Sequence, residues 1–176
     1  MNSDERTLVR RARDGDAAAC HDMVDRYSDY LYRLAFSLVG NAADAEDVLQ
    51  ETFSGAFRSL RRFEARASLK TWLSQILVRQ AARCHRSRAR HKMAALDAEP
   101  EPGQAPHDSA SDTRMDMLAA LDALSTEHRE VIVLREFQGM TYEEIADVLE
   151  APRGTVESRL FRAREQLKAR LKDYLA

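Results

Sequence analysis

The stretch that decides the fold lies near the C-terminus and reads TYEEIADVLEAPRGTVESRLFRAR, residues 141–164. Thr141 stands three residues before Glu144, which is the spacing of a capping box at the start of a helix. Pro152 and Gly154 then interrupt the helical pattern, and apolar residues resume at helical spacing from Val156. Two short helices joined by a turn of three or four residues are typical of a helix-turn-helix, whose second helix enters the major groove of DNA.

The second helix of this pattern carries polar and basic residues on its outer faces. Arginine reads guanine O6 and N7, while serine holds phosphates or either base. An amphipathic helical hairpin with a basic exterior is the alternative interpretation. The candidate DNA-contacting residues are Arg153, Ser158, Arg159, Phe161, Arg162, Arg164 and Lys168.

Upstream of the motif, the pattern predicts two more helices, over about 114–124 and from an N-cap at Ser125 to just before Gly139. Before them, residues 94–113 read AALDAEPEPGQAPHDSASDT and contain three of the four prolines and no aromatic residue. Such a segment cannot bury enough surface to offset its ordering entropy. We therefore predict a flexible acidic linker at 94–113 and a C-terminal domain at 114–176.

The N-terminal part, residues 1–93, is predicted to be a small helical bundle. Apolar residues recur at steps of three or four from Cys20 to Leu38, and Gly40 can end that helix. A second helix fits from about Ala42 to Leu60 with Asn41 as N-cap, a third covers about 68–90, and a weaker one precedes them at about 4–13. The fold class is therefore all-α, with two small helical domains and a linker.

Composition excludes several other classes of protein. The chain has 176 residues, 44% apolar and 32% charged, with only six glycines and four prolines, which disfavours sandwiches and barrels. No apolar run approaches the ~20 residues that span a bilayer, and no signal-peptide core precedes the first helix, so we expect a cytoplasmic protein with no membrane insertion. The five histidines and two cysteines lack metal-ligand spacing, and no catalytic motif is present. We expect no metal, no cofactor and no enzymatic activity.

The net charge of -2 conceals a strong division along the chain. Residues 1–57, 58–92, 93–152 and 153–176 carry net charges of -5, +10, -11 and +4. Two basic blocks in an otherwise acidic chain predict contacts with polyanions at two separate places.

An acidic face distinguishes the second predicted helix of the bundle. A solvated helix start is one interpretation, because acids are favourable near a helix N-terminus. The other is a docking surface for a basic partner. Its residues are Asp44, Glu46, Asp47, Gln50 and Glu51.

The basic block centres on the loop RRFEARAS, residues 61–68, and on the helix after it. Arginines at i,i+3 and i,i+4 spacing repel one another without a partner, and a basic groove edged by aromatic rings suits single-stranded nucleic acid. Phe63 and Trp72 are the candidate aromatic residues, although core packing is the better interpretation for Trp72. The candidate cations and their loop neighbours are Arg61, Arg62, Arg66, Ser68, Lys70, Arg79, Arg83, Arg86, Arg88 and Arg90.

In order and spacing, these segments together resemble the extracytoplasmic-function (ECF) sigma factors, small bacterial initiation factors of the sigma-70 family. Residues 44–53, DAEDVLQETF, are similar to the family's polymerase-binding helix, and residues 63–73 to its promoter-melting segment. Residues 124–131, 142–146 and 154–164 are similar to its region 4, which reads the upstream promoter element.

The resemblance implies that the chain binds core RNA polymerase, with the acidic face on the clamp helices of the largest subunit and region 4 at the flap of the second largest. It implies that the 63–68 loop holds an unstacked base of the single-stranded -10 element, and that the final helix, with Thr155 and Glu157 added to its contacts, reads the -35 duplex. It also implies an anti-sigma factor as partner. Arg79, Arg83 and Glu157 depart from the residues common in the family, which leaves the promoter sequence open.

Two other functions are compatible with the residues alone. One is a transcriptional regulator that uses only the helix-turn-helix. The other is an adaptor whose bundle binds protein. The basic segment with aromatic edges at 61–90 favours the sigma factor, because a regulator that binds only duplex DNA has no use for a single-strand groove.

Overall fold

A computed structural model describes residues 3–65, 67–95 and 117–171 of the chain. These residues form helices and turns and contain no strand, which confirms the all-α prediction. The helices are α1 (Ser3–Arg13), α2 (Ala17–Val39), α3 (Ala42–Ser59), α4 (Leu69–Ala95), α5 (117–122), α6 (Thr126–Ile132), α7 (Tyr142–Leu149) and α8 (Arg153–Arg170).

Local capping groups set the helix ends of the N-terminal bundle. Asp16 accepts from the amides of Ala18 and Ala19 at the start of α2, and Gly40 ends that helix with a left-handed φ of 80°. Asn41 accepts from the amide of Asp44 at 2.9 Å and begins α3. The predicted N-cap at Asn41 and helix end at Gly40 are therefore confirmed.

Helices α2, α3 and α4 pack around one core, and α1 lies against α2. Met23, Leu31 and Leu34 of α2 and Leu69 and Leu73 of α4 are fully buried. Burying one such side chain stabilises the fold by about 1.5–3 kcal/mol. The bundle thus fixes the orientation of α3 and α4, and with it which of their residues face outward.

Helix α4 continues beyond the end that the sequence predicted. Its start is set by Ser68, whose hydroxyl accepts from the amide of Thr71 at 3.0 Å. Its described end is Ala95 rather than a residue near 90, so it passes the predicted domain boundary at 93. The remainder of the predicted linker, from residue 96 to 113, lies outside the described residues.

The C-terminal domain contains the predicted helix-turn-helix. The capping box at Thr141 and Glu144 is present, with both of its hydrogen bonds. Helix α6 continues through a π-helical turn at Val133–Phe137, and Gly139 then takes a φ of 65° before α7 begins. Ile145 of α7 and Val156 of α8 have no exposed surface, so the two helices are held by a small core.

The two domains pack against each other, and a buried arginine joins them. Arg129 of α6 is only 6% exposed. Its guanidinium donates to the carbonyl oxygens of Leu121 and Leu38, each at 2.9 Å, and pairs with Asp122 at 2.9 Å. Because Leu38 belongs to the last turn of α2, this cation satisfies a free carbonyl at the C-terminal end of that helix.

Candidate functional site

Four of the five predicted docking residues form an exposed row on α3. They follow each other at helical spacing, so their side chains share one side of the helix. Glu51 lies 4.0 Å from Arg58, a distance at which an exposed pair contributes little. We call this row the acidic ridge; it consists of Glu46, Asp47, Gln50 and Glu51.

Asp44 has a different environment from the acidic ridge. Its side chain is 25% exposed and pairs with Arg88 of α4 at 3.0 Å. It also accepts from the side-chain amide of Asn41 at 2.8 Å. Asp44 therefore ties the start of α3 to α4, a structural role that the sequence pattern did not indicate.

A cleft of about 490 Å³ opens at the start of α4. Its walls come from the loop before α4, from α4 itself and from the end of α7. We call it the strand cleft. Its lining residues are Arg62, Phe63, Glu64, Ala65, Ala67, Thr71, Trp72, Gln75, Asp147 and Glu150.

Of the two aromatic residues of the strand cleft, Phe63 is placed differently from the prediction, whereas Trp72 agrees with it in part. Phe63, predicted to edge an open groove, is only 5% exposed, and its ring centroid lies 4.7 Å from that of Trp72. Trp72 packs against the hydrophobic core, as the preferred interpretation predicted, but it is only half-buried and also lines the cleft. Phe63 is thus the floor under Trp72, and the indole is the ring available for stacking with a base.

The loop that carries Phe63 is held by a residue that the sequence did not single out. Arg13, the last residue of α1, donates from Nε to the carbonyl of Leu60 at 3.0 Å and from Nη2 to the carbonyl of Phe63. No motif connects residues 13 and 63, so only the packing of α1 against the bundle indicates this role.

Of the other candidates in and beside the loop, some side chains are exposed and others contact neighbouring residues of the chain. Arg61 and Arg62 are exposed. Ser68 is engaged in capping α4, and the ammonium of Lys70 lies 4.2 Å above the ring of Tyr30. Arg66 lies outside the described residues.

The basic stripe of α4 is divided between two surroundings. Arg79 faces α7 and pairs with Glu150 at 2.5 Å. Arg83 and Arg90 instead line a groove of about 400 Å³ that they share with Asp47 and Glu51 of the acidic ridge. The single track predicted for Arg79, Arg83, Arg86 and Arg90 is therefore two surfaces. Arg86 is also exposed, and its charge acts on Glu130 of α6.

Cys84 lies in the same groove between α3 and α4. Burial raises the pKa of its thiol, and the carboxylate of Asp44 raises that pKa further. Cys84 is therefore protonated at neutral pH, the opposite of an activated thiolate.

The polar side of α8 carries both paired and outward-directed side chains. Arg153 contacts Glu143 and pairs with Glu157 at 2.9 Å. Arg159 pairs with Glu127 at 3.1 Å, and Arg164 pairs with Glu136 at 2.6 Å. These acids hold the arginine side chains in place along the helix.

The remaining candidates on α8 are more open. Phe161 is 69% exposed, and Arg162 and Ser158 are exposed as well. The Ser158 hydroxyl donates to the carbonyl of Thr155 at 3.0 Å, and Thr155 is half-buried. An exposed phenyl ring on an otherwise polar helix face suits contact with a thymine methyl group.

Neither a metal-binding cluster nor a membrane-spanning helix occurs among the residues that the structure describes. No group of three or more His, Cys, Asp or Glu side chains there is arranged to hold a metal ion. No helix within the described ranges is long and apolar enough to cross a membrane.

Comparisons with known proteins agree with this architecture. The family model for Sigma-70 region 2 matches residues 23–91, and that for Sigma-70, region 4 matches residues 114–167. The RNA polymerase sigma-H factor of Pseudomonas aeruginosa is 34% identical over 97% of this chain and 95% of its own length. The ECF RNA polymerase sigma-E factor of Escherichia coli is 33% identical, over 93% of this chain and 92% of its own length. The chain therefore belongs to the ECF branch of the sigma-70 family of transcription initiation factors.

A longer relative and two solved structures extend the comparison. The ECF sigma factor SigE of Mycolicibacterium smegmatis is 39% identical over 92% of this chain, which spans 65% of that protein. CnrH in complex with the cytosolic domain of CnrY has a TM-score of 0.74 at 28% identity and covers 96% of this chain and 97% of its own. The sigma factor RpoE of Bartonella quintana, solved with the anti-sigma factor NepR, has a TM-score of 0.67 at 29% identity, covering 86% and 96% of the two chains.

Proposed function

We propose that this chain is a cytoplasmic alternative sigma factor. It binds core RNA polymerase, recognises a -10 and a -35 promoter element, and opens the promoter duplex. The observation that carries the proposal is one bundle that presents both an acidic ridge and, on another side, a cleft that contains the partly buried Trp72 and the exposed Arg62. A protein that bound only duplex DNA through α8 would use neither surface.

The acidic ridge is the proposed contact with polymerase. Its four residues are exposed on a helix whose opposite side is fixed by buried Val48 and Phe53, so the ridge is presented rigidly. We assign it to the clamp helices of the largest polymerase subunit and the C-terminal domain to the flap of the second largest.

The strand cleft is the proposed binding site for an unstacked base of the -10 element. Extruding a base costs a few kcal/mol, which stacking on an aromatic ring can return at about 1–3 kcal/mol per base. Trp72 supplies the ring, and Arg62, which is exposed and lines the same cleft, is available for a backbone phosphate. Opening the duplex therefore needs binding energy and no catalytic group of this chain.

The exposed face of α8 is the proposed reader of the -35 element. Arg153, Ser158 and Arg162 are placed toward the start and middle of the helix, where recognition helices contact base edges. Glu157 can accept from cytosine N4, although the structure has it paired with Arg153.

An anti-sigma factor is a further proposed partner. The sigma factor RpoE of Bartonella quintana, which is similar to this chain along most of its length, was solved with the anti-sigma factor NepR. We propose a partner of the same kind for this chain.

Reconstituted transcription tests the proposal directly. The chain is added to core polymerase with a library of genomic fragments, and the 5′ ends of the transcripts are sequenced. We expect initiation at sites that share two spaced elements. Random initiation, combined with duplex binding by the same chain, would indicate a helix-turn-helix regulator instead.

A charge reversal tests the polymerase contact. Asp47→Lys combined with Glu51→Lys is expected to weaken binding to core polymerase at least about tenfold, because close charge pairs across an interface are strongly coupled. The control is Asp25→Lys combined with Asp29→Lys, the same charge change at exposed positions on α2. Equal affinities of the two double variants for core polymerase would remove the assignment of the ridge.

A further inference from the structure

The strand cleft is closed on one side by the other domain of the same chain. Trp72 and Gln75 line it from α4, whereas Asp147 and Glu150 line it from the C-terminal end of α7. The wall opposite the proposed base-stacking ring is therefore acidic and belongs to the helix-turn-helix.

The contact across the cleft is built from specific hydrogen bonds. One carboxylate oxygen of Glu150 lies 2.5 Å from Nη2 of Arg79 and accepts from Nε2 of Gln75 at 3.0 Å. The same Gln75 nitrogen lies 3.2 Å from the carbonyl oxygen of Asp147. Arginine and amide donors converging on an anionic oxygen are the groups that hold a phosphate in protein complexes with nucleic acid.

The backbone at Glu150 indicates that its side chain is needed there. Glu150 ends α7 in the left-handed region, with φ 49° and ψ 42°. Glycine is the usual residue at a left-handed helix end because it has no Cβ to strain. Glutamate is strained in this conformation. What it has and glycine lacks is a side chain, and the contacts of that side chain are with α4 of the other domain.

A second contact holds the same arrangement from the other end of α4. His85 of α4 and Arg129 of α6 both contact the carbonyl oxygen of Leu38, at 2.8 and 2.9 Å. Arg129 is buried by the N-terminal bundle and pairs with Asp122 beside it. The packing of the domains therefore does not depend on the surface pair at Glu150 alone.

We propose that the acidic end of α7 is an internal ligand of the strand cleft, which occupies the place of a promoter-strand phosphate and holds the chain in a closed form. The inference rests on the proposed function of the cleft. In the closed form, the cleft is shielded until the two domains separate.

Distances along DNA require that separation. Helix α8 begins at Arg153, three residues after Glu150, so its first turn lies within about 11 Å of the cleft wall at the maximum extension of the chain. Elements named for positions -10 and -35 are roughly 25 base pairs apart, on the order of 85 Å at ~3.4 Å per base pair. The closed form can present α8 to a duplex but cannot engage both elements together.

Trp72 is the only tryptophan in the chain, and its fluorescence therefore reports on the cleft. We compare the quenching of that fluorescence by acrylamide in the full chain and in Glu150→Gln, which keeps the size of the side chain, and Glu150→Gly, which also relieves the backbone. Both variants are expected to show increased quenching. Glu165→Gln removes the same charge from an exposed position on α8 and is expected to match the wild type.

Binding of a dye-labelled 12-nucleotide oligo(dT) to the same proteins supplies a second measurement. The two Glu150 variants are expected to bind about fivefold more tightly than the wild type and Glu165→Gln, which is the size of effect for releasing one exposed ion pair. Circular dichroism checks that all four proteins keep the same helix content.

The two measurements distinguish the closed form from the proposed DNA-binding function of the strand cleft. Quenching in the Glu150 variants equal to that of the wild type overturns the proposal that the acidic end of α7 holds the strand cleft closed, whatever the DNA result. Increased quenching without any binding of oligo(dT) leaves the closed form standing and removes the strand cleft as a DNA site.

Discussion

Glu130 is a partly buried carboxyl group whose surroundings disfavour the ionised form. It lies on α6 with most of its surface covered, and burial raises its pKa to about 7. Arg159 opposes that rise, Glu127 adds to it, and Arg86 of the other domain opposes it weakly. The protonated form is thus favoured in the folded chain up to neutral pH.

Replacing Glu130 with glutamine tests this directly. A pKa raised from 4.5 to about 7 in the folded state stabilises the fold below pH 4.5, and that stabilisation is lost as pH rises through about 7. Glu130→Gln has no such loss, so we expect it to gain about 1–3 kcal/mol in unfolding free energy relative to the wild type between pH 4.5 and 8. Urea unfolding at a series of pH values measures the difference.

Glu165→Gln is the control for this prediction, since it removes a charge of the same sign from an exposed position on α8 and Glu165 is not among the groups that shift the pKa of Glu130. The opposite contribution of His85, whose pKa burial lowers, is present in every variant and cancels. If the unfolding free energies of the wild type and Glu130→Gln change with pH in parallel, ionisation of the Glu130 carboxyl does not destabilise the fold.

At the scale of the single helix, the ends were the most predictable feature. Asn41, Gly40 and the pair Thr141 and Glu144 act within four residues of their own positions. Because these contacts are local, a short stretch of sequence is enough to predict them. The acidic ridge was predictable for the same reason, as a row on one side of one helix.

The capping box of α7 makes a testable contribution to stability. Thr141→Ala removes the side-chain acceptor for the amide of Glu144 and is expected to cost about 1 kcal/mol of unfolding free energy. Thr141→Ser keeps the hydroxyl and is expected to retain most of that stability. Thermal unfolding followed by circular dichroism measures both. Equal losses for the two variants would assign the effect to the lost methyl group instead.

Contacts between helices were not predictable from the same patterns. The carbonyl of Phe63 accepts from Arg13, and Asp44 pairs with Arg88, in each case from a distant part of the chain. Helical periodicity states which residues share a face but not which element covers that face. The strand cleft therefore needed the structure, although most of its loop residues were candidates already.

Over the whole molecule, the charge blocks of the sequence neutralise one another in part. Arg79 of the +10 block pairs with Glu150 of the -11 block, and Arg88 pairs with Asp44 of the -5 block. Blocks that the sequence assigned to outside partners thus also have partners within the chain. Competition between the internal and external partners follows, because one arginine cannot hold a glutamate and a phosphate in the same position.

Salt dependence is the signature of that competition. The Arg79 and Glu150 side chains are 52% and 61% exposed, so their attraction is screened as the Debye length falls from about 10 Å at 0.1 M salt toward about 3 Å at 1 M. The quenching of Trp72 by acrylamide is expected to rise between about 0.05 and about 0.5 M NaCl in the wild type and in Glu165→Gln.

Glu150→Gln, which has already lost this pair, is expected to respond to NaCl much less. Arg129 is buried, and its contact with Leu38 is screened weakly by salt, so it should persist over the same range. If the wild type and Glu150→Gln respond equally to salt, the surface pair does not hold the domains together, and buried contacts such as that of Arg129 with Leu38 determine when the strand cleft opens.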